Sequence, residues 1–193
     1  MKRLLQIVLG AFVLFMVLAV GQEWRLFASA WLGGDGASEP SAPLTEAEGR
    51  AAADTVARTL ALMRHFYLSG GDPRFAERMP ASPGLIDELR ADVDYLARNH
   101  RLQDPELQRL VVLSVDPAGP GGSASRDRLE LRTREWWTFR TLWAADGSEA
   151  EPPRERVVDG LYYLVRTGAG WRVEGWRPIV FEDAGESGAE GPA

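Results

Sequence analysis

Residues 127–143, DRLELRTREWWTFRTLW, alternate in character over an unusually long stretch. Odd positions carry Leu129, Leu131, Thr133, Glu135, Trp137, Phe139, Thr141 and Trp143. Even positions carry Arg128, Glu130, Arg132, Arg134, Trp136, Thr138, Arg140 and Leu142. A period of two with one mainly apolar and one mainly charged side predicts an antiparallel strand with one wet face. The flanking sequence extends the sheet. Residues 109–116 (RLVVLSVD) predict a strand before it, and residues 155–166 (ERVVDGLYYLVR) and 171–177 (WRVEGWR) predict two after it. Thr167-Gly168-Ala169-Gly170 fits a short hairpin between the last two, while Asp146-Gly147 opens a longer loop ending at Pro152-Pro153.

Upstream, the period changes to that of a helix. Thr45 and Glu48 match a capping box, and Val56, Leu60, Met63 and Tyr67 share one face of a helix ending at Gly70-Gly71. Asp72-Pro73 starts a short second helix to about Met79. Ser82 caps a third, with Pro83 at its first position and Leu85, Leu89, Val93 and Leu96 along one side. The expected fold is α+β: three helices packed on a curved antiparallel sheet of about four strands. The segments LRTREWWTFRTLW and RVVDGLYYLVRTGAGWRVEGWRP resemble the closing strands of nuclear-transport-factor-2-like, cone-shaped domains. The pattern is most similar to the intermembrane-space-type domain of plastid and cyanobacterial division proteins and their bacterial relatives. Glu135, Trp137 and Phe139 carry its first half, and Tyr163, Leu164, Val165, Arg166, Gly170, Trp171 and Val173 its second. The resemblance implies an architecture; superfamily members range from enzymes to tethered interaction domains, so function must be argued from a site.

The 193 residues, with 45% hydrophobic and 26% charged side chains, suit one ordinary domain with flanks. Leu4 to Gln22 is uncharged, and as a helix would span roughly 28 Å, near the thickness of a bilayer core. Lys2 and Arg3 before it favour a cytoplasmic N-terminus, and Trp24, Phe27 and Trp31 suit the outer interface. The expected organisation is a cytoplasmic 1–3, a transmembrane helix over 4–22, a juxtamembrane tether over 23–44 and an extracytoplasmic domain over 45–181. A disordered acidic tail over 182–193 completes it. Cleavage of residues 1–30, or near Gly21, is the alternative to a retained anchor.

No cysteine is present, which excludes disulfides and thiolate chemistry, and a net charge of −6 argues against a general nucleic-acid binder. His65 lies opposite the apolar stripe and His100 at a helix end, without metal-ligand spacing; Asp92 and Asp94 point apart. Gly119-Pro120-Gly121-Gly122 lacks the lysine of a phosphate cradle and suits a hairpin loop. No metal or cofactor is expected. Glu135 is the misfit on the apolar face, where an acid is costly unless partnered. An inward arginine, a backbone amide or the pocket mouth would satisfy it, with Arg156, Arg166 and Arg177 as the candidate arginines, and Glu135, Trp137, Tyr163 and Trp171 form a candidate cavity. Trp137, Trp143 and Trp171 are assigned to the core, Trp136 and Trp176 to the opposite face. Arg132, Arg134, Trp136 and Arg140 form a candidate interaction face. The favoured reading is a non-enzymatic scaffold module for an envelope protein, held on the bilayer by residues 4–22. A small-ligand or lyase/isomerase cavity around Glu135 is the alternative. Oligomeric state carries no signature in the sequence.

Overall fold

A computed structural model describes residues 44–118 and 125–183. The expected membrane segment, the tether up to residue 43, the glycine-rich loop at 119–122 and the tail from residue 184 lie outside the described residues. Among the described residues no helix is long and apolar enough to cross a membrane.

Three helices precede four strands. The helices are α1 (Glu46–Leu68), α2 (Pro73–Arg78) and α3 (Pro83–Arg98). The strands are β1 (Arg101–Ala118), β2 (Ser125–Trp143), β3 (Glu149–Thr167) and β4 (Gly170–Asp183). They form one antiparallel sheet in the order β1-β2-β3-β4. Each helix starts where a side-chain oxygen answers an orphan amide. Thr45 Oγ1 accepts from Glu48 N at 3.2 Å while Thr45 N donates to Glu48 Oε2 at 3.0 Å. Asp72 and Ser82 accept from Arg74 N and Leu85 N in the same way. Gly70 and Gly71 end α1 with φ of 67° and 90°, and a Cβ on Gly71 would come within 3.1 Å of Val93. After α3, His100 takes the same left-handed conformation at φ 55°.

α1 is buried on two sides. Ala52, Val56 and Leu60 face Leu129, Leu131, Trp137, Tyr162, Leu164 and Val173 of the sheet. Leu62, Phe66 and Tyr67 pack with Ala76, Met79, Leu89 and Val93 of the α2–α3 region. The α2–α3 link also covers the edge of β4: Ser82 N donates to Val173 O at 2.7 Å, and Val173 N to Pro80 O at 2.8 Å.

Three expectations are corrected. β1 starts eight residues earlier than the sequence suggested and contains Pro105 and Pro117, which an edge strand tolerates. The loop expected at 146–153 is a tight turn, closed by Trp143 N to Ser148 O at 2.8 Å with Gly147 at φ 71°. Pro152 and Pro153 instead ride in β3, beyond the last β4 partner at Arg156 and within the register shift that separates the β2 pairs Phe139/Arg154 and Thr141/Glu151. Trp143 is not core but 41% exposed, under the Arg101 guanidinium at 5.1 Å. Nineteen residues of β2 run about 62 Å, whereas the 23 of α1 run about 34 Å, so the helix layer cannot cover the strand's whole length.

Glu48 ties the cap of α1 to β3 through Arg166 Nη2 at 2.5 Å. The Thr45 backbone N–H, then its hydroxyl and then Arg166 hold the Glu48 carboxyl at about 2, against an ordinary 4.5. Because the folded value is depressed, its stabilisation is complete above about 4.5 and is lost as pH falls through about 2. In a carbon-detected carboxyl titration, Arg166→Ala is expected to raise the Glu48 midpoint but leave it below the ordinary value, because the Thr45 amide is the larger cause. In the core, Leu131→Ala is expected to cost about 2–5 kcal/mol in urea unfolding. His65→Ala, on an exposed side chain, is expected to stay within about 0.5 kcal/mol.

Candidate functional site

The inner face of β2 presents Leu129, Leu131, Thr133, Glu135 and Trp137 in succession. Glu135 is 0% exposed. Its Oε1 accepts from Thr133 Oγ1 and from Tyr162 Oη, both at 2.6 Å, and its Oε2 accepts from Trp137 Nε1 at 2.8 Å. All three donors are neutral. The candidate arginines are placed otherwise: Arg166 lies on Glu48 and 4.9 Å over the Trp171 ring, and Arg177 lies 5.9 Å over Tyr163. Arg156 sits cross-strand from Trp137. Burial, and then the Glu135 carboxylate, push the Tyr162 hydroxyl well above its ordinary range, so it stays a donor at neutral pH.

Gly160 makes room for this group. A Cβ there would lie 2.9 Å from Thr133 Oγ1, 2.9 Å from Trp176 Nε1 and 3.0 Å from Glu135 Oε1. Trp176 therefore belongs to the inner face, in ring contact with Tyr162 at 6.3 Å, and not to the outer face as expected. The cause is a register shift between Tyr163/Gly175 and Leu164/Val173, which inverts the parity of β4 after Glu174. The buried Trp176 Nε1 has no hydrogen-bond partner among the described residues.

The four residues of the expected cavity do not meet. Glu135 and Trp137 belong to the hydrogen-bonded group, but Tyr163 lies on the opposite face, cross-strand from Glu130 and Gly175. Its neighbour Tyr162 is the inward one, and neither residue is singled out by alternation in the apolar run GLYYLV. Trp171 lies in the core with its edge in a shallow cleft of about 330 Å³, lined also by Glu48, Ala51, Arg166 and Gly170. Glu135 does not line it.

On the outer face, Trp136 lies beneath the Arg109 guanidinium, 4.7 Å from its ring centroid. Arg134 grips Asp159 of β3 with two bonds of 2.7 and 2.8 Å, holding the Asp159 carboxyl below its usual range. Arg132 flanks Leu161 on the same face. Arg140 is drawn elsewhere: it pairs with Asp104 and Glu106, which also receive Arg64 of α1. The expected four-residue face is thus Arg132, Arg134 and Trp136 with Arg109, while Arg140 belongs to an ion-pair cluster binding α1 to β1. Elsewhere, the buried Tyr67 donates from Oη to Oδ2 of the partly buried Asp92 at 2.9 Å, and burial raises both groups. His65 stacks on Phe75 at 5.3 Å, and the described residues hold no cluster of three or more metal-ligating side chains.

No protein-family model matches the chain, and no curated protein matches it significantly. Its structure is similar to the crystal structure of the intermembrane space region of chloroplast protein ARC6. The fold is shared. The TM-score is 0.52 at 14% identity, over 70% of this chain and 98% of that one, which agrees with the intermembrane-space-type resemblance of the sequence.

The geometry makes Gly160 and Tyr162 sensitive positions. Gly160→Ala is expected to cost about 1–3 kcal/mol in urea unfolding, because three polar atoms must move to admit a methyl group. Gly168→Ala, with nothing within 4 Å, should be close to neutral. Tyr162→Phe keeps the ring and removes one donor to a buried acid, for about 1–3 kcal/mol.

Proposed function

We propose that the chain is a single-pass membrane protein that presents an extracytoplasmic, non-enzymatic scaffold domain to an envelope protein. Residues 4–22 cross the bilayer, residues 1–3 stay cytoplasmic, and residues 23–44 tether a domain of the nuclear-transport-factor-2-like, cone-shaped kind over 45–181. The uncharged run behind Lys2-Arg3 supports the topology. The fold likeness to an intermembrane-space region supports an interaction module.

The observation that carries the reading is the closure of the Glu135 group. A general base must come within hydrogen-bond reach of a substrate proton. Glu135 is fully buried and engaged by Thr133, Tyr162 and Trp137, so the one acid that suggested chemistry serves the packing of the sheet. What the domain offers outward is an aromatic and arginine surface built on Trp136, Arg109, Arg132 and Arg134, the residue types enriched where proteins dock. An acidic chain with this surface is suited to a protein partner more than to a nucleic acid.

In membranes from the source cell, affinity-tagged full-length protein is expected to resist alkaline extraction and to retain a specific partner. Trp136→Ala with Arg134→Ala should lower partner recovery at least tenfold while circular dichroism stays unchanged. Glu135→Gln should leave recovery intact. Loss of partner with Glu135→Gln alone, in a folded protein, would favour a cavity-based function instead.

A further inference from the structure

The two edges of the sheet are treated differently. β4 is capped at Val173 by Pro80 and Ser82. β1 has β2 on one side, and among the described residues no backbone hydrogen bond from outside the sheet reaches residues 106–116. That edge is long, β-branched and apolar, with Val112 38% and Leu113 52% exposed. Natural sheets usually cover or charge such an edge, because its free N–H and C=O groups are a template for another strand. Here the run is bracketed by Pro105 and Pro117, and between them the edge is interrupted by the register shifts at Leu107/Arg109 and Val112/Ser114 and by no further proline.

We propose that residues 109–116 of β1 pair antiparallel with the same residues of a second copy of this chain, joining two sheets across a two-fold axis at Val112–Leu113. The occupant follows from the charges and the register that the fold places along the edge. Centring the axis there sets Arg109 of each copy opposite Asp116 of the other, Leu110 opposite Val115, and Val111 opposite Ser114. Val112 of one copy then covers Leu113 of the other. Arg109 and Asp116 are both exposed, and neither makes an ion pair among the described residues, so the pairing joins opposite charges that the monomer leaves apart.

The bulge in β1 makes this register possible. Antiparallel partners must share a face, and in a regular strand residues 109 and 116 would lie on opposite faces. The register with β2 shifts between Val112/Thr133 and Ser114/Arg132, leaving Leu113 as the extra residue. Arg109 and Val111 therefore share the outer face with Ser114 and Asp116, beside Trp136, Arg134, Arg132 and Glu130. Leu110, Val112 and Val115 share the inner face, beside Glu135, Thr133 and Leu131. The pairs 109/116, 110/115 and 111/114 on either side of the axis then match in face, and the two Arg109–Asp116 pairs match in charge. The interface is isologous and closes on itself, so it yields a dimer and not a filament. It goes beyond the scaffold reading and does not rest on it, since self-association is read on the purified chain without any envelope partner.

The absence of cysteine allows a clean test on the full-length protein in detergent. Arg109→Cys and Asp116→Cys chains, mixed and mildly oxidised, are expected to give disulfide-linked dimers. Either chain oxidised alone should give few, because like positions would stand roughly 23 Å apart. Sedimentation supplies the second arm. Arg109→Asp and Asp116→Arg should each weaken dimerisation roughly tenfold, as two exposed pairs turn repulsive, and the combined exchange should restore it. A chain that is monomeric at every concentration overturns the proposal. So does cross-linking as strong in the single preparations as in the mixture, or a dimer indifferent to both charge reversals.

Discussion

A glutamate side chain with no solvent exposure, on the apolar face of a sheet, constrains everything around it. Burying an acid costs several kcal/mol unless each oxygen finds donors. Glu135 finds them on two strands: Thr133 and Trp137 lie two residues to either side on β2, and Tyr162 comes across from β3. The Tyr162 bond exists in only one register. A slip of one residue between β2 and β3 would turn Tyr162 to the wet face and strip Glu135 of its one cross-strand donor, leaving only those of its own strand. The cluster therefore specifies the pairing of the two central strands, and Gly160, as the residue without a Cβ between Thr133, Glu135 and Trp176, is part of that specification.

The same requirement shapes the outer strands. β3 is buried on both faces at Leu161 and Tyr162, and the outer strands carry register shifts, β4 against β3 and β1 against β2. The shift in β4 brings Trp176 inward, against Tyr162, and the shift in β1 places Leu113 outside the alternation. Bulges bend strands and sharpen their twist. They allow one long sheet to pack its middle on α1 while its far end, at Trp143, extends past the helices.

Much of this was legible in the sequence where the signal is local. The capping box at Thr45 and Glu48, and Ser82 followed by Pro83, mark helix starts that the structure reproduces. Alternation along 127–137 assigns both faces of β2 correctly, including the burial of Glu135. What failed was parity across positions where the chain inserts a residue. A bulge has no composition of its own here, so Trp176 was placed on the wrong face, and the paired tyrosines in GLYYLV offered no alternation by which to choose Tyr162 over Tyr163. The extent of β1 was missed because Pro105 reads as a stop, although at a sheet edge its missing N–H faces no partner. A lone buried acid suggests a counter-charge, a backbone amide or an open pocket; neutral side-chain donors two residues away on the same strand are the less obvious solution.

Sealing the acid has a consequence for where the domain can act. A sheet packed on one side by α1, with its inner polar group saturated, has two surfaces left: its outer face and its free edge. The outer face holds Trp136 under Arg109 and Arg134 against Asp159, contacts that fix long side chains before any partner arrives and so lower the entropy lost on docking. Arg109 is common to both surfaces. It lies over Trp136 on the face and opposite Asp116 of a second copy along the edge. Pairing of two edges would set two Trp136 surfaces side by side on one continuous sheet, since the two-fold axis keeps both outer faces on the same side. A partner with two matching sites would then gain from both at once, and the geometry of the free edge would set the spacing at which it binds.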